Sequence, residues 1–142
     1  MAKPIGKNRQ DLYSETFIIQ ASQLQTIATQ GVDLIPSPGV GLAIVASELS
    51  TVKYLKGSET FNGYPELRLT TSTFNQAQLH QETLIPSDES GSAKFYTLTY
   101  APGNENVSQI NVNAGLRLVG DINSTTGDGV AEVTVVYTVI DG

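Results

Sequence analysis

Apolar and polar residues alternate along much of this chain, a pattern that predicts β-strands rather than helices. The clearest stretch runs from Ala131 to Ile140, where Val133, Val135, Tyr137 and Val139 occupy every second position. In a helix these positions would spread around the circumference, whereas a strand places them on one face. The C-terminal stretch therefore predicts a strand with one buried face.

The pattern changes from Tyr13 onward, and the same period of two predicts further strands at residues 17–20, 32–35, 52–54, 66–70, 94–100 and 107–119. Leu42 to Ala46 is an uninterrupted apolar run and predicts a strand that is buried on both faces. Ala21 to Gln30 leaves two interpretations open, a short helix that Ser22 could cap or a polar loop. Asp128-Gly129 is a favoured turn pair, so the last two strands are expected to form an antiparallel hairpin. Thr71 to Ser92 is rich in polar residues and predicts a long surface loop.

Seven to nine short strands in a chain of 142 residues predict an all-β fold. Two packed antiparallel sheets, a sandwich of the jelly-roll kind, are the expected architecture. The chain contains no cysteine, so a packed core rather than disulfides has to stabilise it. Residues 13–142 are predicted to form this single domain. Residues 1–12 are polar, contain Pro4 and Gly6, and show neither period, so they predict an extended N-terminal arm.

Charge divides the chain into two parts. The formal net charge is −6, from 14 acidic and 8 basic residues, which argues against nucleic acid or an anionic membrane as the main partner. Lys3, Lys7 and Arg9 fall in the first nine residues without any acid, so the remainder carries −9. A basic arm therefore precedes an acidic body, and these three residues are the candidate partner-binding residues. No segment approaches the ~20 apolar residues of a membrane span, and no apolar run of a signal peptide is found, so synthesis in the cytoplasm is expected.

Residues that could support catalysis are few. His80 is the only histidine and lies in a polar segment, where an ordinary surface histidine is the favoured interpretation. A pair of carboxylates on facing elements could still make a small hydrolase, although the acids are dispersed over predicted turns and wet faces: Glu48, Glu59, Glu66, Glu82, Asp88 and Glu89. We therefore expect no catalytic residue, no cofactor and no enzymatic activity.

Asp121 to Glu132 has a weak likeness to a calcium-binding loop. Asp121, Asn123, Thr125 and Glu132 stand at the first, third, fifth and twelfth places, where such a loop has oxygen ligands. The sixth place is not glycine, and the flanks predict strands instead of helices. A hairpin connection is favoured over an ion site, and no metal ligand is predicted.

Several turns and strands resemble those of small structural proteins of tailed bacteriophages. The residues that carry the resemblance are the turn Pro38-Gly39-Val40-Gly41 before an apolar strand, Tyr54 before Gly57, and Gly127-Asp128-Gly129 followed by Val133-Thr134-Val135, Tyr137 and Val139-Ile140. The resemblance covers residues 30–70 and 110–140.

This resemblance implies a virion structural protein, a capsid decoration or cement protein that sits as a homotrimer on the exterior of the assembled shell. Its expected partners are the major capsid protein and neighbouring copies of itself, with no membrane and no direct nucleic-acid contact. The basic arm, with Lys3, Lys7 and Arg9, would then engage an acidic shell or an adjoining subunit. The alternative is a tail-associated adhesin or fibre-head domain that binds a host-surface glycan through the loops at Gly57 to Pro65 and Thr71 to Ser92.

Overall fold

The computed structural model describes the backbone of residues 3–4, 12–55, 57–59, 61–62, 67–71, 77–80, 94–97, 99–100 and 112–141. It describes the side chains of residues 12–55, 57–59, 61–62, 67–71 and 112–141. In chain order the elements of this part are β1 (Lys3–Pro4), β2 (Tyr13–Ile19), α1 (Ala21–Gln25), β3 (Val32–Ile35), β4 (Leu42–Ala46), β5 (Thr51–Leu55), β6 (Leu67–Thr70), β7 (Ala77–His80), β8 (Lys94–Thr97), β9 (Thr99–Tyr100), β10 (Leu116–Gly120) and β11 (Val130–Asp141).

The strands form two antiparallel sheets, which confirms the all-β sandwich expected from the sequence. The first sheet has the order β1-β2-β11-β5-β8, and β4 also pairs with β11. The second sheet has the order β3-β10-β6-β7-β9. Strand β11 is the centre of the first sheet. One of its edges pairs with β2, and the other pairs first with β5 and then with β4.

The strand pairs are nested along the chain. Strand β2 pairs with β11, β3 with β10, β5 with β8, and β6 with β7. The first and last strands of the body therefore pair with each other, and each further pair lies inside the previous one along the chain, ending with β6 and β7. Because successive pairs alternate between the two sheets, the chain is one long antiparallel hairpin rolled into a sandwich, which is the jelly-roll arrangement.

The core lies between the inner faces of the sheets. On β11 the residues at every second position, Ala131, Val133 and Val135, are fully buried. Leu67 and Leu118 of the second sheet are equally buried and belong to the same apolar cluster. Burial of a leucine or valine side chain stabilises a fold by about 1.5–3 kcal/mol. The period of two in the sequence thus marks the faces that hold the sheets together.

Strand β10 is shorter than the sequence predicts, because it begins at Leu116 and not near residue 107. Asn113 has a left-handed backbone with φ of 55°, which a strand cannot continue through. Val112 is half exposed and makes a single bridge to Ala43. Residues 107–111 of the predicted strand lie outside the described residues.

The predicted hairpin between the last two strands is wrong. Strand β10 lies in the second sheet, where its two edges pair with β3 and β6, and β11 lies in the first sheet. The segment between them therefore crosses from one sheet to the other. The Asp128 carboxylate accepts hydrogen bonds from the Ser58 hydroxyl and the Glu59 backbone N–H, which lie in the segment after β5.

The polar segment Thr71 to Ser92 was predicted to be a loop, but it contains β7. This strand pairs with β6 and with β9. The polar residues around it led the sequence prediction to a loop. Residues 72–76 and 81–92 lie outside the described part of the chain. The Ala21 to Gln30 segment begins with the short helix α1, whose N-cap is Gln20 and not Ser22. Gln23 Oε1 accepts the Gln20 backbone N–H at 2.8 Å.

The start of the chain is described only in part. The backbone of Lys3–Pro4 pairs with Ser14 and Tyr13 on β2, and residues 1–2 and 5–11 of the predicted arm lie outside the described residues. The boundary between arm and body stays a prediction.

Of the residues described, none belongs to a helix with the length and apolarity needed to cross a membrane.

Candidate docking groove

A groove of about 590 Å³ lies on the inner face of the first sheet, beside the segment that follows β3. Its floor comes from the inner faces of β2, β4 and β11, and its wall comes from the segment after β3. The lining residues are Tyr13, Glu15, Ile35, Pro36, Ser37, Pro38, Leu42, Ile44, Tyr137 and Val139.

The register of β2 and β11 places two tyrosines side by side in the groove. Tyr13 lies opposite Tyr137, and their ring centroids are 5.7 Å apart at an interplanar angle of 30°. Glu15 is two residues further along β2, on the same face as Phe17 and the buried Ile19. The strand alternation therefore directs a carboxylate toward the space between the sheets.

The wall of the groove is stiff. Strand β3 ends at Ile35, and Pro36 cannot continue its ladder because proline has no backbone N–H. Pro38 fixes a second φ angle two residues later. The following turn is closed by the Leu42 backbone N–H, which donates to Gly39 O at 3.1 Å. Leu42 then enters β4 as part of the floor.

Glu15 is the acidic residue of the groove. Burial raises the pKa of Tyr137, and the nearby Glu15 and Tyr13 raise it further. Among the residues whose side chains are described, the Glu15 carboxylate has no hydrogen-bond or ion-pair partner. The groove is thus apolar and aromatic with one acidic group.

Exposed apolar side chains stand beside the groove. Val40, at the tip of the turn that leads into Leu42, is 91% exposed. Val112 is 51% exposed and is the bridge partner of Ala43 on β4. The Asn113 side chain joins the two segments, since its Oδ1 accepts the Gly39 N–H at 3.2 Å. Val40 and Val112 therefore form an apolar rim on a braced turn.

A second groove, of about 490 Å³, lies on the other side of the Ile35–Ser37 segment and is more polar. Arg117 Nε is 3.3 Å from Asp33 Oδ1, an ion pair by distance, although the angle does not make it a hydrogen bond. Arg117 Nη2 also donates to Gln30 O at 2.5 Å. The charges in this groove are paired with each other, so it offers less to a partner than the aromatic groove.

The structure places the residues singled out from the sequence as follows. The Lys3 backbone lies in β1, while Lys7 and Arg9 are outside the described residues. His80 is in β7, where its Cα is paired with that of Arg68. Glu48 and Glu59 are exposed, and the other singled-out acids, Glu66, Glu82, Asp88 and Glu89, fall outside the described part of the chain.

Two of the four oxygen-bearing residues of the calcium-like segment, Asn123 and Thr125, bind other parts of the protein. Asn123 Oδ1 accepts the backbone N–H groups of Ala28 and Thr29 at 2.8 and 3.3 Å. Thr125 Oγ1 accepts the Asn62 side-chain amide at 2.8 Å. Glu132 lies within β11, opposite Ile18 and Lys53. No group of three metal-ligating side chains is found among the residues described.

Sequence reasoning missed the aromatic groove and its carboxylate. The signal was present, because Tyr13, Glu15, Phe17 and Ile19 share one period of two. A glutamate at an inward position of a strand departs from the pattern of a closed core. In the structure, Glu15 lines the groove.

No family model and no curated protein sequence matches the chain. The chain is similar to a solved structure titled "Cyanophage Pam1 capsid asymmetric unit", with 14% sequence identity and a TM-score of 0.46. The alignment covers 97% of this chain and 91% of that chain. A likeness of this degree does not assign a function.

Proposed function

We propose that the chain is a bacteriophage virion structural protein that binds the exterior of the assembled shell. It stabilises the shell by protein–protein contacts and catalyses no reaction. Its partners are the major capsid protein and neighbouring copies, in a homotrimer on the shell. The turn and strand motifs at residues 30–70 and 110–140 support the proposal, since they resemble structural proteins of tailed bacteriophages. A jelly roll is a common scaffold for such proteins, although a fold by itself does not fix a function.

The observation that carries the proposal is the apolar rim next to the groove. Val40 is 91% exposed on a turn that Pro38 stiffens and that Asn113 braces. Binding becomes more favourable in free energy when a partner removes a large exposed apolar side chain from water. Because the turn is already ordered, little conformational entropy is lost on binding. Val40 therefore has the properties of an anchor residue in a protein interface.

The first experiment locates the protein on virus particles. Antibodies against the purified chain are applied to intact particles from the same phage and imaged by electron microscopy. We expect label that follows the shell lattice. Label restricted to the tail, or absent from particles that infect normally, would contradict the proposal. Binding to host envelopes instead of shells would favour the tail adhesin.

A matched pair of variants tests the anchor residue. Val40→Asp should weaken co-sedimentation of the purified chain with shells that lack it by at least about ten-fold, since a charge at the anchor has to be desolvated. Leu49→Asp is the control, because Leu49 is also exposed, at 63%, but lies in the turn after β4, at the opposite end of that strand. Equal loss of attachment by both variants would reject Val40 as the anchor.

The adhesin alternative depends on two loops. Part of the first one is held inside the protein: Phe61 is 1% exposed, and Asn62 exchanges hydrogen bonds with Ser124 and Thr125. These side chains are engaged with the body and do not form an open recognition surface. The described residues of this loop, 57–59 and 61–62, thus give the adhesin alternative no specific support.

A further inference from the structure

Glu15 is placed where a closed sandwich would have an apolar residue. It shares the inner face of β2 with Phe17 and Ile19, and its Cα is paired with that of the buried Val135. A carboxylate in such a position loses part of its hydration, so it gains from a cationic partner. Among the described side chains no cation binds it. The half-buried Glu15 carboxylate is therefore available to a cationic group from outside the described residues.

The two tyrosines next to Glu15 strengthen the preference for a cation. The faces of aromatic rings attract ammonium and guanidinium groups, and a neighbouring carboxylate adds to the attraction. The Tyr13 and Tyr137 rings are 5.7 Å apart, which leaves them side by side on the groove floor. Ile35, Leu42 and the two prolines supply apolar surface of the kind that the methylene stem of a lysine or arginine covers.

The chain itself contains a segment with the complementary charge. Residues 1–10 carry Lys3, Lys7 and Arg9 and no acid, whereas the remaining chain carries a formal charge of −9. In one copy the backbone of Lys3–Pro4 pairs with β2 on the edge opposite to β11. The described part of the arm therefore lies along the edge of β2 that faces away from β11. Twelve extended residues span at most about 40 Å, enough to reach a neighbouring body once Lys3–Pro4 leave β2.

We infer that the groove receives a lysine or arginine side chain from the N-terminal arm of a second copy of this chain. Each copy then donates an arm to one neighbour and receives an arm from another. A head-to-tail contact of this kind closes into a ring when the rotation between copies permits it. The inference goes beyond attachment to a shell, because it concerns contact between copies and is tested without any shell.

The test measures self-association of the full chain by sedimentation equilibrium. Glu15→Gln keeps the shape of the side chain and removes its charge, and it should raise the dissociation constant by about ten-fold. The arm variant Lys3→Gln, Lys7→Gln, Arg9→Gln should raise it by at least as much. Combining the two sets should add little, because both remove the same contact. Association should also weaken between about 0.05 and 0.5 M salt.

Two control variants change the same charges elsewhere. Glu132→Gln and Lys53→Gln alter neighbouring positions on the opposite face of the same sheet, and both should leave the dissociation constant unchanged. A charge exchange, Glu15→Lys combined with Lys7→Glu and Arg9→Glu, should restore part of the association that Glu15→Lys removes.

Three results would overturn the inference. The chain could be a monomer at every concentration, the arm variant could associate like the wild type, or the charge exchange could restore nothing. A monomer whose thermal stability falls with either charge change would assign the groove to the chain's own arm. None of these results bears on whether the protein binds a shell.

Discussion

At the scale of single residues, Ser50 replaces a missing piece of the β-ladder. Strand β11 pairs with β5 as far as Thr134 and with β4 from Tyr137 onward. Val136 lies at the junction, where its N–H donates to Ser50 Oγ at 2.9 Å and its carbonyl accepts the Ser50 hydroxyl at 3.2 Å. Ser50 is fully buried. The Val136 carbonyl also accepts the Ser47 backbone N–H at 2.7 Å, so the Ser50 side chain satisfies the Val136 N–H and shares the carbonyl with Ser47.

Ser50→Ala should therefore destabilise the protein by about 1–3 kcal/mol, because the buried Val136 N–H loses its acceptor. Urea unfolding at neutral pH measures the change. Ser22→Ala is the matched control, since Ser22 is exposed on α1 and its substitution should change stability by less than about 0.5 kcal/mol. If both variants unfold at the same urea concentration, the proposed role of the Ser50 hydroxyl is wrong.

Asp128 makes stability depend on pH in a defined direction. The Ser58 hydroxyl donates to its carboxylate at 2.6 Å and the Glu59 N–H donates at 2.8 Å, and these bonds hold the pKa of Asp128 below its ordinary value of 3.8. A lowered pKa means that folding favours the ionised carboxylate. Its contribution is complete above the pKa of the unfolded chain and is lost as pH falls through the pKa of the folded protein.

Ser58→Ala should raise the pKa of Asp128, because it removes the largest cause of the shift. An NMR titration of the Asp128 carboxyl in both proteins measures the pKa directly. In Asp128→Asn, the decrease in thermal stability below about pH 4 should be smaller than in the wild type. An unchanged Asp128 pKa in Ser58→Ala would show that the serine does not hold the ionised form.

At the scale of elements, two crossing segments are locked together by the contact between Phe61 and Gly127. Phe61 follows β5 and is 1% exposed, and Gly127 precedes β11 with φ of 112°. A Cβ atom at Gly127 would collide with the Phe61 ring. The backbone of the second segment therefore lies directly against the aromatic side chain of the first.

Gly127→Ala should destabilise the protein by about 2–5 kcal/mol, from the unfavourable φ angle together with overpacking against Phe61. Gly41→Ala is the control, since Gly41 also has a positive φ, 80°, but nothing lies within 4 Å of the added Cβ. The difference between the two unfolding free energies isolates the packing part. Equal effects would show that Phe61 moves aside without cost.

The sequence predicted the elements better than their assembly. Alternation located β2 and β11, because a face buried against the other sheet needs apolar residues at every second place. It overextended β10 through Asn113, whose left-handed backbone leaves no mark in hydropathy. The turn preference of the Asp128-Gly129 pair predicted a hairpin that does not form, because a local turn preference does not determine which sheet the next strand joins. The docking groove was not predicted for a similar reason. Glu15 is recognised as part of a site only when the strand pairing that places Tyr137 beside Tyr13 is known.

At the scale of the whole molecule, the nested strand order controls folding. The pairing of Ile19 with Ala131 and of Tyr13 with Tyr137 joins residues from opposite ends of the body. Such contacts form only after a long loop has closed, which makes folding slow. We expect the chain to refold on the millisecond-to-second scale typical of β-sandwiches. Rapid dilution from urea, followed by tyrosine fluorescence, measures the rate.

A circular permutant tests whether the β2–β11 closure limits this rate. Residue 142 is joined to Leu12 by a flexible linker of about eight residues, and the chain is opened between β7 and β8, so that β11 and β2 become neighbours in sequence. Because their pairing is then local, refolding should be on the order of ten-fold faster. The unpermuted chain of residues 12–142 is the control, since it lacks the same arm. If the two proteins refold at equal rates while the permutant keeps the native fold, another step limits folding, and the closure between the first and last strands of the body is not that step.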